Sequence, residues 1–125
     1  MPKVMVVDDA VLARQTLIRL LRREGFDTVE ATNGREALDG IGLHAPDLIL
    51  LDVQMPELDG LELLEILHHH PQWKAVPVVM LTGVSDTHAI RRAERLGAKE
   101  YLIKTTFSLG QMLEAVKRYT AYKPA

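Results

Sequence analysis

The sequence predicts a single α/β domain in which a parallel sheet is covered by helices on both faces. Two observations predict this fold class. Short apolar segments alternate with helical patterns five times along the 125 residues. Two of these segments, VMVV at residues 4–7 and LILL at residues 48–51, are apolar without interruption. That pattern is typical of strands buried on both faces, as in a parallel sheet.

Five strands are expected, each followed by a helix. The strand candidates lie near residues 3–7, 26–31, 47–51, 77–81 and 100–103. The first helix is expected near residues 10–24 and should end at Gly25, because glycine commonly follows the last turn of a helix. One face of this helix is expected to carry Leu17, Leu20 and Leu21. The arginines are expected elsewhere on the helix, at Arg14, Arg22 and Arg23.

The other four helices are predicted from their capping residues. Asparagine, aspartate and serine accept hydrogen bonds from the first N–H groups of a helix, and glutamate or glutamine three positions later completes a capping box. The second, third and fifth helices show this pattern, with Asn33 and Glu36, Asp59 and Glu62, and Ser108 and Gln111. The third helix is expected to run to Pro71, and the fourth to follow Ser85-Asp86 and stop at Gly97.

Length, charge and cysteine content limit the possible functions. A chain of 125 residues is long enough for one domain with a core and too short for two, so residues 1–125 are predicted to form one domain. The net charge of −2 indicates no direct nucleic-acid binding and no membrane binding. No apolar segment approaches the roughly 20 residues that span a bilayer. Because the chain has no cysteine and its first strand leaves no room for a signal peptide, a cytoplasmic protein is expected.

Acidic residues follow two of the apolar segments directly. Asp8 and Asp9 come after residues 4–7, and Asp52 comes after residues 48–51. The carboxyl ends of parallel strands meet at one edge of a sheet, where open α/β sheets bind their ligands. Three carboxylates in one place repel each other unless a cation lies between them, and Mg²⁺ prefers oxygen ligands. The sequence therefore predicts a magnesium site at this edge.

Two more polar residues follow strands that end at the same edge. Thr82 comes after residues 77–81, and Lys104 comes after residues 100–103. A lone aspartate after a strand is usually a turn residue. Five such side chains at one edge indicate a functional site instead.

These positions resemble the receiver domain of two-component response regulators. The resemblance covers essentially the whole chain and rests on Asp8-Asp9, Asp52, Met55-Pro56, Asp59-Gly60, Thr82-Gly83, Tyr101 and Lys104. It implies a flavodoxin-like (βα)5 fold, a doubly wound parallel sheet with the strand order 2-1-3-4-5. The chain is similar to stand-alone receivers of the chemotaxis and sporulation-relay types.

The resemblance implies a phosphorylation-activated signalling switch in a two-component phosphorelay. Asp52 would accept a phosphoryl group from a sensor histidine kinase or a histidine phosphotransfer protein, and an ionised carboxylate needs no general base for this attack. Lys104 and Thr82 would stabilise the charge of the transferring group. The chain would catalyse only its own phosphorylation and dephosphorylation and would not otherwise be an enzyme.

The resemblance also implies how Mg²⁺ would be held. Asp9 and Asp52 would bind the ion through their carboxylates, and Gln54 would bind it through its backbone carbonyl. Asp8 would act mainly through a metal-bound water. Such a mixed shell, which keeps several waters, is the one that Mg²⁺ prefers.

Thr82 and Tyr101 are the implied switch residues. Thr82 would turn toward the phosphoryl group, and Tyr101 would move from an exposed to a buried position. The signal would pass to a downstream effector protein through the fourth helix, the fifth strand and the fifth helix. The protein would be a monomer or a weak phosphorylation-dependent dimer. Leu12, on the first helix, is expected to be exposed where the histidine-bearing partner docks.

One position departs from the family pattern. The lysine is usually followed by a proline with a cis peptide bond, whereas Lys104 is followed by Thr105. A cis bond before any other residue costs about 2.5–4 kcal/mol, so the peptide is either trans, or cis and strained. This leaves the strength of switching open.

Two other functions compete with the phosphorylated switch. The alternative that the sequence leaves open is a receiver-like interaction module that is not phosphorylated. A haloacid-dehalogenase-type phosphatase needs a D-x-D motif whose second aspartate transfers a proton. That position is Gln54 here, and an amide cannot do so.

Overall fold

The computed structural model describes residues 1–120, in which strands and helices alternate. The strands are β1 (Lys3–Val7), β2 (Asp27–Ala31), β3 (Leu48–Leu51), β4 (Val78–Thr82) and β5 (Glu100–Ile103). The helices are α1 (Val11–Arg23), α2 (Gly34–His44), α3 (Gly60–His68), α4 (Thr87–Arg95) and α5 (Leu109–Tyr119). The strands form one parallel sheet in the order β2-β1-β3-β4-β5. The predicted flavodoxin-like fold and its strand order are confirmed.

The predicted domain runs to residue 125, and residues 121–125 lie outside the described part of the chain. Within residues 1–120, no helix is both long enough and apolar enough to cross a bilayer.

Alternate residues of the central strands enter two separate hydrophobic clusters, one on each face of the sheet. In β1, Met5 and Val7 pack with residues of α2, α3 and α4. Val4 and Val6 pack on the other face with residues of α1 and α5. Because successive side chains of a strand point to opposite faces, a sheet covered on both sides needs apolar residues at every position. This is why the central strands are apolar without interruption.

All four predicted N-caps are present, but the capping box expected at α2 is incomplete, because the carboxylate of Glu36 accepts from Thr32 and not from the N–H of Asn33. Capping boxes are formed by Asp59 with Glu62 at α3 and by Ser108 with Gln111 at α5. Asn33 caps α2 and Asp86 caps α4 through side-chain oxygens. Gly25 follows α1 with a φ of 93°, and Gly97 follows α4 with a φ of 89°. Glycine adopts this left-handed conformation without steric cost and so ends a helix.

The third helix is shorter than predicted, since α3 ends at His68 and does not reach Pro71. Nδ1 of His70 accepts hydrogen bonds from the N–H groups of Gln72 (3.1 Å) and Trp73 (3.2 Å). The imidazole also stacks on the indole of Trp73, with 3.8 Å between the ring centroids. Side-chain hydrogen bonds of this kind satisfy the local backbone without another helical turn.

We expect that replacing Glu57 by glycine stabilises the fold. Glu57, between β3 and α3, has a φ of 68°, and a left-handed conformation costs an L-residue roughly 1–2 kcal/mol. Glycine also adds entropy to the unfolded chain, so the net gain in the free energy of unfolding should be about 0.5–1 kcal/mol, measured by urea denaturation. Glu57→Ala, which removes the charge and keeps the strain, is the control. An equal gain in both variants would assign the effect to the charge.

Candidate functional site

Three carboxylates come together at the carboxyl edge of the sheet. Asp8 directly follows β1 and is 2% exposed, and Asp52 directly follows β3 and is 6% exposed. Asp9 is exposed. One oxygen atom of each residue lies within 4.8 Å of the other two. The acidic cluster that the sequence predicted therefore exists in the fold.

Lys104 directly follows β5 and joins two of these carboxylates. Its ammonium group donates to Oδ2 of Asp8 at 2.7 Å and to Oδ2 of Asp52 at 3.2 Å. Burial acts to lower the pKa of Lys104. The hydrogen bond to Asp8 and the charges of Asp52 and Asp8 outweigh it, and the pKa is raised above its ordinary value. Lys104 is therefore a cation at neutral pH.

The acidic cluster keeps free oxygen lone pairs for a second cation. Oδ1 of Asp8 accepts one hydrogen bond, from the N–H of Ala10, and Oδ1 of Asp52 accepts a 3.3 Å hydrogen bond from the N–H of Gln54. Asp9 forms no hydrogen bond or ion pair with any residue in 1–120. A set of carboxylate oxygens with unshared pairs is the donor chemistry that Mg²⁺ binds. The residues present thus fit a divalent magnesium ion.

The loop after Asp52 is packed tightly against the backbone of that residue. The N–H of Gly60 donates to the carbonyl of Val53 at 2.8 Å. A Cβ atom on Gly60 would lie 2.0 Å from the carbonyl oxygen of Asp52. Glycine at this position allows the start of α3 to hold the backbone of Asp52 in place.

We expect Gly60→Ala to lower the free energy of unfolding by about 3 kcal/mol, the upper end of the usual cost of overpacking, because the obstacle is backbone. Gly110→Ala is the matched control in the first turn of α5, where the nearest atom to a Cβ is Oγ of Ser108 at 3.7 Å. That variant should gain roughly 0.5–1 kcal/mol, since alanine is the better helix former. Urea denaturation measures both; equal and small effects would contradict the contact.

The backbone of Val84 connects the two predicted switch residues. Thr82 is the last residue of β4 and is fully buried. Its Oγ1 accepts a hydrogen bond from the N–H of Val84 at 3.3 Å, and the hydroxyl of Tyr101 donates to the carbonyl of Val84 at 2.7 Å. Burial raises the pKa of the half-buried Tyr101, with smaller contributions from the charges of Asp52 and Asp86. The side chains of Thr82 and Tyr101 thus bind opposite ends of one residue. The resemblance implied an exposed starting position for Tyr101, whereas its side chain is half-buried here and held by the carbonyl of Val84.

An open cleft of about 580 Å³ lies beside the acidic cluster. It is lined by Asp9, Val53, Gln54, Met55, Asp59 and Val84. Gln54 is exposed there, with the carboxylate of Asp9 in the same cleft. The role of the Gln54 carbonyl as a metal ligand stays a prediction.

The peptide after Lys104 is trans, since residues 1–120 contain no cis peptide bond. Of the two conformations that the sequence left open, the structure therefore has the unstrained one. The backbone N–H of Lys104 donates to the carbonyl of Thr82 at 2.8 Å. The following loop forms a turn in which the carbonyl of Ile103 accepts hydrogen bonds from the N–H groups of Thr106 and Phe107, at 3.0 Å each.

The side chain of Leu12 is 84% exposed, as predicted. It lies at an apolar cavity of about 310 Å³ between α1 and the loop that follows β5. Phe107, Leu109 and Lys104 also line this cavity. This cavity therefore adjoins the acidic cluster through Lys104.

The sequence interpretation placed Arg14 off the apolar face of α1, and this is wrong. Arg14 is 7% exposed and shares the buried face with Leu17, Ile18 and Leu21, whereas Leu20 is only half-buried. These four buried positions follow the i, i+3, i+4, i+7 spacing of one helix face, so the spacing alone could have identified Arg14. Its guanidinium group contacts the backbone at the start of the acidic pair.

Sequence comparison places the chain among known proteins. Residues 4–117 match the family model of the response regulator receiver domain. The polar-differentiation response regulator DivK of Brucella anthropi is 35% identical, over 95% of this chain and 97% of that protein. Sporulation initiation phosphotransferase F of Bacillus subtilis is 32% identical, over 97% of this chain and 95% of that protein. The transcriptional regulatory protein PdtaR of Mycobacterium tuberculosis is 35% identical over 92% of this chain, which spans only 55% of PdtaR.

Solved structures show the same relationship. Chemotaxis protein CheY4 of Vibrio cholerae superimposes with a TM-score of 0.87 and 31% identity, covering 95% of this chain and 98% of that one. The signal receiver domain of a signal transduction histidine kinase from Syntrophus aciditrophicus gives a TM-score of 0.89 and 32% identity, covering 97% of this chain and 91% of that one. The sequence match, the strand order and the acidic cluster agree, and the chain belongs to the response regulator receiver domain family.

Proposed function

We propose that this chain is a phosphorylation-activated switch of a two-component phosphorelay, acting as one receiver domain over residues 1–125. Asp52 is the phosphoacceptor. The observation that carries this proposal is the placement of its carboxylate, which lies in the acidic cluster and 3.2 Å from the ammonium group of Lys104. The phosphoryl donor is a phosphohistidine on a sensor kinase or a histidine phosphotransfer protein.

Phosphoryl transfer needs only the ionised carboxylate as nucleophile. An oxygen of Asp52 attacks phosphorus, and a P–O bond forms as the P–N bond to the histidine breaks. The imidazole nitrogen keeps the electron pair of the broken bond and takes up a proton from solvent. Lys104 already lies beside Asp52 and donates to the phosphoryl oxygens, so its positive charge is in place before the group arrives. Thr82 supplies a hydroxyl donor to another oxygen.

Asp9, Asp52 and the backbone carbonyl of Gln54 are the groups that would hold Mg²⁺, with Asp8 acting through a water. When bound, the ion supplies positive charge against the oxygens of the transferring group.

Dephosphorylation removes the negative charge that the phosphoryl group added to Asp52. A water attacks phosphorus, the P–O bond to Asp52 breaks, and inorganic phosphate leaves. Gln54 and Val84 line the cleft through which that water enters. These reactions on its own aspartate are the only catalysis proposed for the chain.

Switching follows from the shared contacts of Thr82 and Tyr101 with Val84. Movement of Thr82 toward a phosphoryl oxygen removes an acceptor from the N–H of Val84, and so loosens the residue that also binds the Tyr101 hydroxyl. Tyr101 lines a cavity of about 390 Å³ between α4 and β5, together with Ile90 and Lys99. A change at Tyr101 is therefore passed to the α4-β5-α5 surface, where we place the effector protein.

The histidine-bearing partner is placed on α1. The exposed Leu12 and its apolar cavity share Lys104 with the acidic cluster. An apolar side chain of the partner in this cavity would bring the phosphohistidine close to Asp52 and exclude water from it. The protein is proposed to act as a monomer or as a weak dimer that depends on phosphorylation.

The test is incubation of the purified chain with acetyl phosphate and Mg²⁺, followed by intact mass measurement. We expect one added phosphoryl group, and none when a chelator removes the metal. Beryllofluoride, a mimic of the acyl phosphate, should shift the NMR signals of Thr82, Val84 and Tyr101. Absence of the adduct together with unchanged signals would exclude the switch and favour the interaction module.

A further inference from the structure

A partly buried ion pair adjoins the backbone of the acidic pair. Nε of Arg14, on α1, lies 2.8 Å from Oε1 of Glu30, on β2. Nη1 of the same guanidinium donates to the backbone carbonyl of Asp8 at 2.9 Å. The Arg14 side chain is almost completely buried, whereas that of Glu30 is partly exposed. One planar group thus joins β2 to the end of β1.

This contact acts on the peptide that carries Asp9. The carbonyl of Asp8 and the N–H of Asp9 belong to one rigid peptide plane. A hydrogen bond to that carbonyl therefore influences the direction in which the Asp9 side chain leaves the backbone. Asp8 has further anchors, because its N–H donates to the carbonyl of Ala31 and its carboxylate binds Lys104. Asp9 forms no hydrogen bond or ion pair of its own with residues 1–120. Its position is therefore set through the peptides on either side of it: Arg14 holds the Asp8–Asp9 peptide, and Oδ1 of Asp8 holds the N–H of Ala10.

We infer that Arg14, held by Glu30, is a positioning residue of the acidic site: it orients the Asp8–Asp9 peptide and so sets the affinity of the site for a divalent cation. The inference rests on the proposed function, in which Mg²⁺ binds at this cluster. It concerns residues that take no part in the chemistry and touch neither the ion nor the phosphoryl group.

The geometry requires arginine specifically. A guanidinium presents several N–H donors in a fixed plane, and here two of them reach Glu30 on β2 and the carbonyl of Asp8, which follows β1. Lysine carries the same charge on a flexible stem with a single donor centre, so it cannot hold both acceptors in the same way. Arg14→Lys therefore separates the geometric contribution of the side chain from its charge.

The experiment measures Mg²⁺ affinity by calorimetric titration of the wild-type chain and of Arg14→Lys. We expect the dissociation constant to rise about 10-fold, the usual scale for losing a group that orients a metal ligand. Phosphorylation by acetyl phosphate, followed against Mg²⁺ concentration, should show the same increase in the half-saturating concentration. The rate at saturating Mg²⁺ should stay unchanged, because Asp52 and Lys104 are untouched.

Two further variants serve as controls. Glu30→Gln keeps the oxygen acceptor and removes the charge, so it should weaken Mg²⁺ binding in the same direction but less. Gln15→Ala should leave Mg²⁺ affinity unchanged, because Gln15 donates to the same oxygen of Glu30 at 3.1 Å without touching Asp8. If Arg14→Lys does not fold, Glu30→Gln decides the question.

The possible outcomes separate this inference from the proposed function. Wild-type and Arg14→Lys chains that bind Mg²⁺ equally well, with only the unfolding midpoint lowered, would overturn the inference and leave a purely structural ion pair. A wild-type chain that binds no Mg²⁺ would overturn the proposed function, and the inference with it.

Discussion

Asp52→Asn is expected to abolish phosphorylation by acetyl phosphate completely, measured as loss of the phosphoryl adduct in the intact mass. The amide is neutral and its oxygen is a poor nucleophile, although asparagine has nearly the same shape as aspartate. The substitution also removes one of the three negative charges that would attract the metal. Because Asp52 is 6% exposed and follows a buried strand, the fold should tolerate this exchange of equal volume.

Asp59→Asn is the matched control for this variant. Asp59 lines the same cleft and undergoes the same chemical change, but its side chain caps α3. Asparagine caps helices about as well as aspartate, so phosphorylation and stability should both be retained. An adduct that persists in Asp52→Asn and disappears in Asp59→Asn would contradict Asp52 as the phosphoacceptor and indicate Asp59 instead.

Lys104→Met is expected to have two large effects. Phosphorylation should slow by on the order of 10²-fold, the usual cost of removing one donor to a developing charge. The free energy of unfolding without Mg²⁺ should fall by about 2 kcal/mol, less than the roughly 3–5 kcal/mol for breaking a fully buried pair. The smaller value is expected because 28% of the Lys104 side chain is exposed. Urea denaturation and phosphorylation kinetics measure the two effects.

The double variant Lys104→Met with Asp8→Asn distinguishes charge from packing. If uncompensated carboxylates cause the instability, removing one of them should restore most of the stability without restoring the rate. A double variant as unstable as the single one would instead point to lost contacts of the lysine stem. Added Mg²⁺ should stabilise Lys104→Met, since a ligand that binds only the folded state favours it.

The pH dependence of the ion pair has a defined sign. The pKa of Lys104 is raised above its ordinary value of 10.5 in the folded chain. Its stabilising contribution is therefore fully present below that ordinary value and is lost as the pH rises through the higher folded pKa. The stability difference between the wild-type chain and Lys104→Met should stay constant across neutral and mildly alkaline pH. It should shrink only in strongly alkaline solution.

The sequence-based predictions that the structure confirmed depended on local patterns of residue types. Uninterrupted apolar segments indicated strands covered on both faces, and the carboxyl ends of such strands necessarily share an edge. Asp8, Asp52 and Lys104 could therefore be grouped although up to 96 positions separate them along the chain. Capping residues such as Asp59 and Ser108 were predictable for the same reason, because a cap acts within one helical turn.

The failures have an equally physical cause. The charge of Arg14 favoured the polar face although its spacing fits the buried one, and Glu30 and the carbonyl of Asp8 make its burial possible. The third helix was extended to Pro71 because nothing in the local pattern shows that His70 binds the next two N–H groups. In both cases a specific partner outweighed the general preference of the residue.

By itself, the sequence determined the fold class through its periodicity, and it grouped Asp8, Asp52 and Lys104 through their positions after strands. The family followed from the resemblance of its motifs to receiver domains, which the family match confirms. Only the tertiary structure decided how those side chains are paired. Lys104 lies closer to Asp8 than to Asp52, Asp9 has no ion-pair partner among residues 1–120, and Arg14 donates to the carbonyl of Asp8. Such pairings depend on distances of a few ångströms between separate strands and helices, and a linear pattern of residue types does not contain those distances.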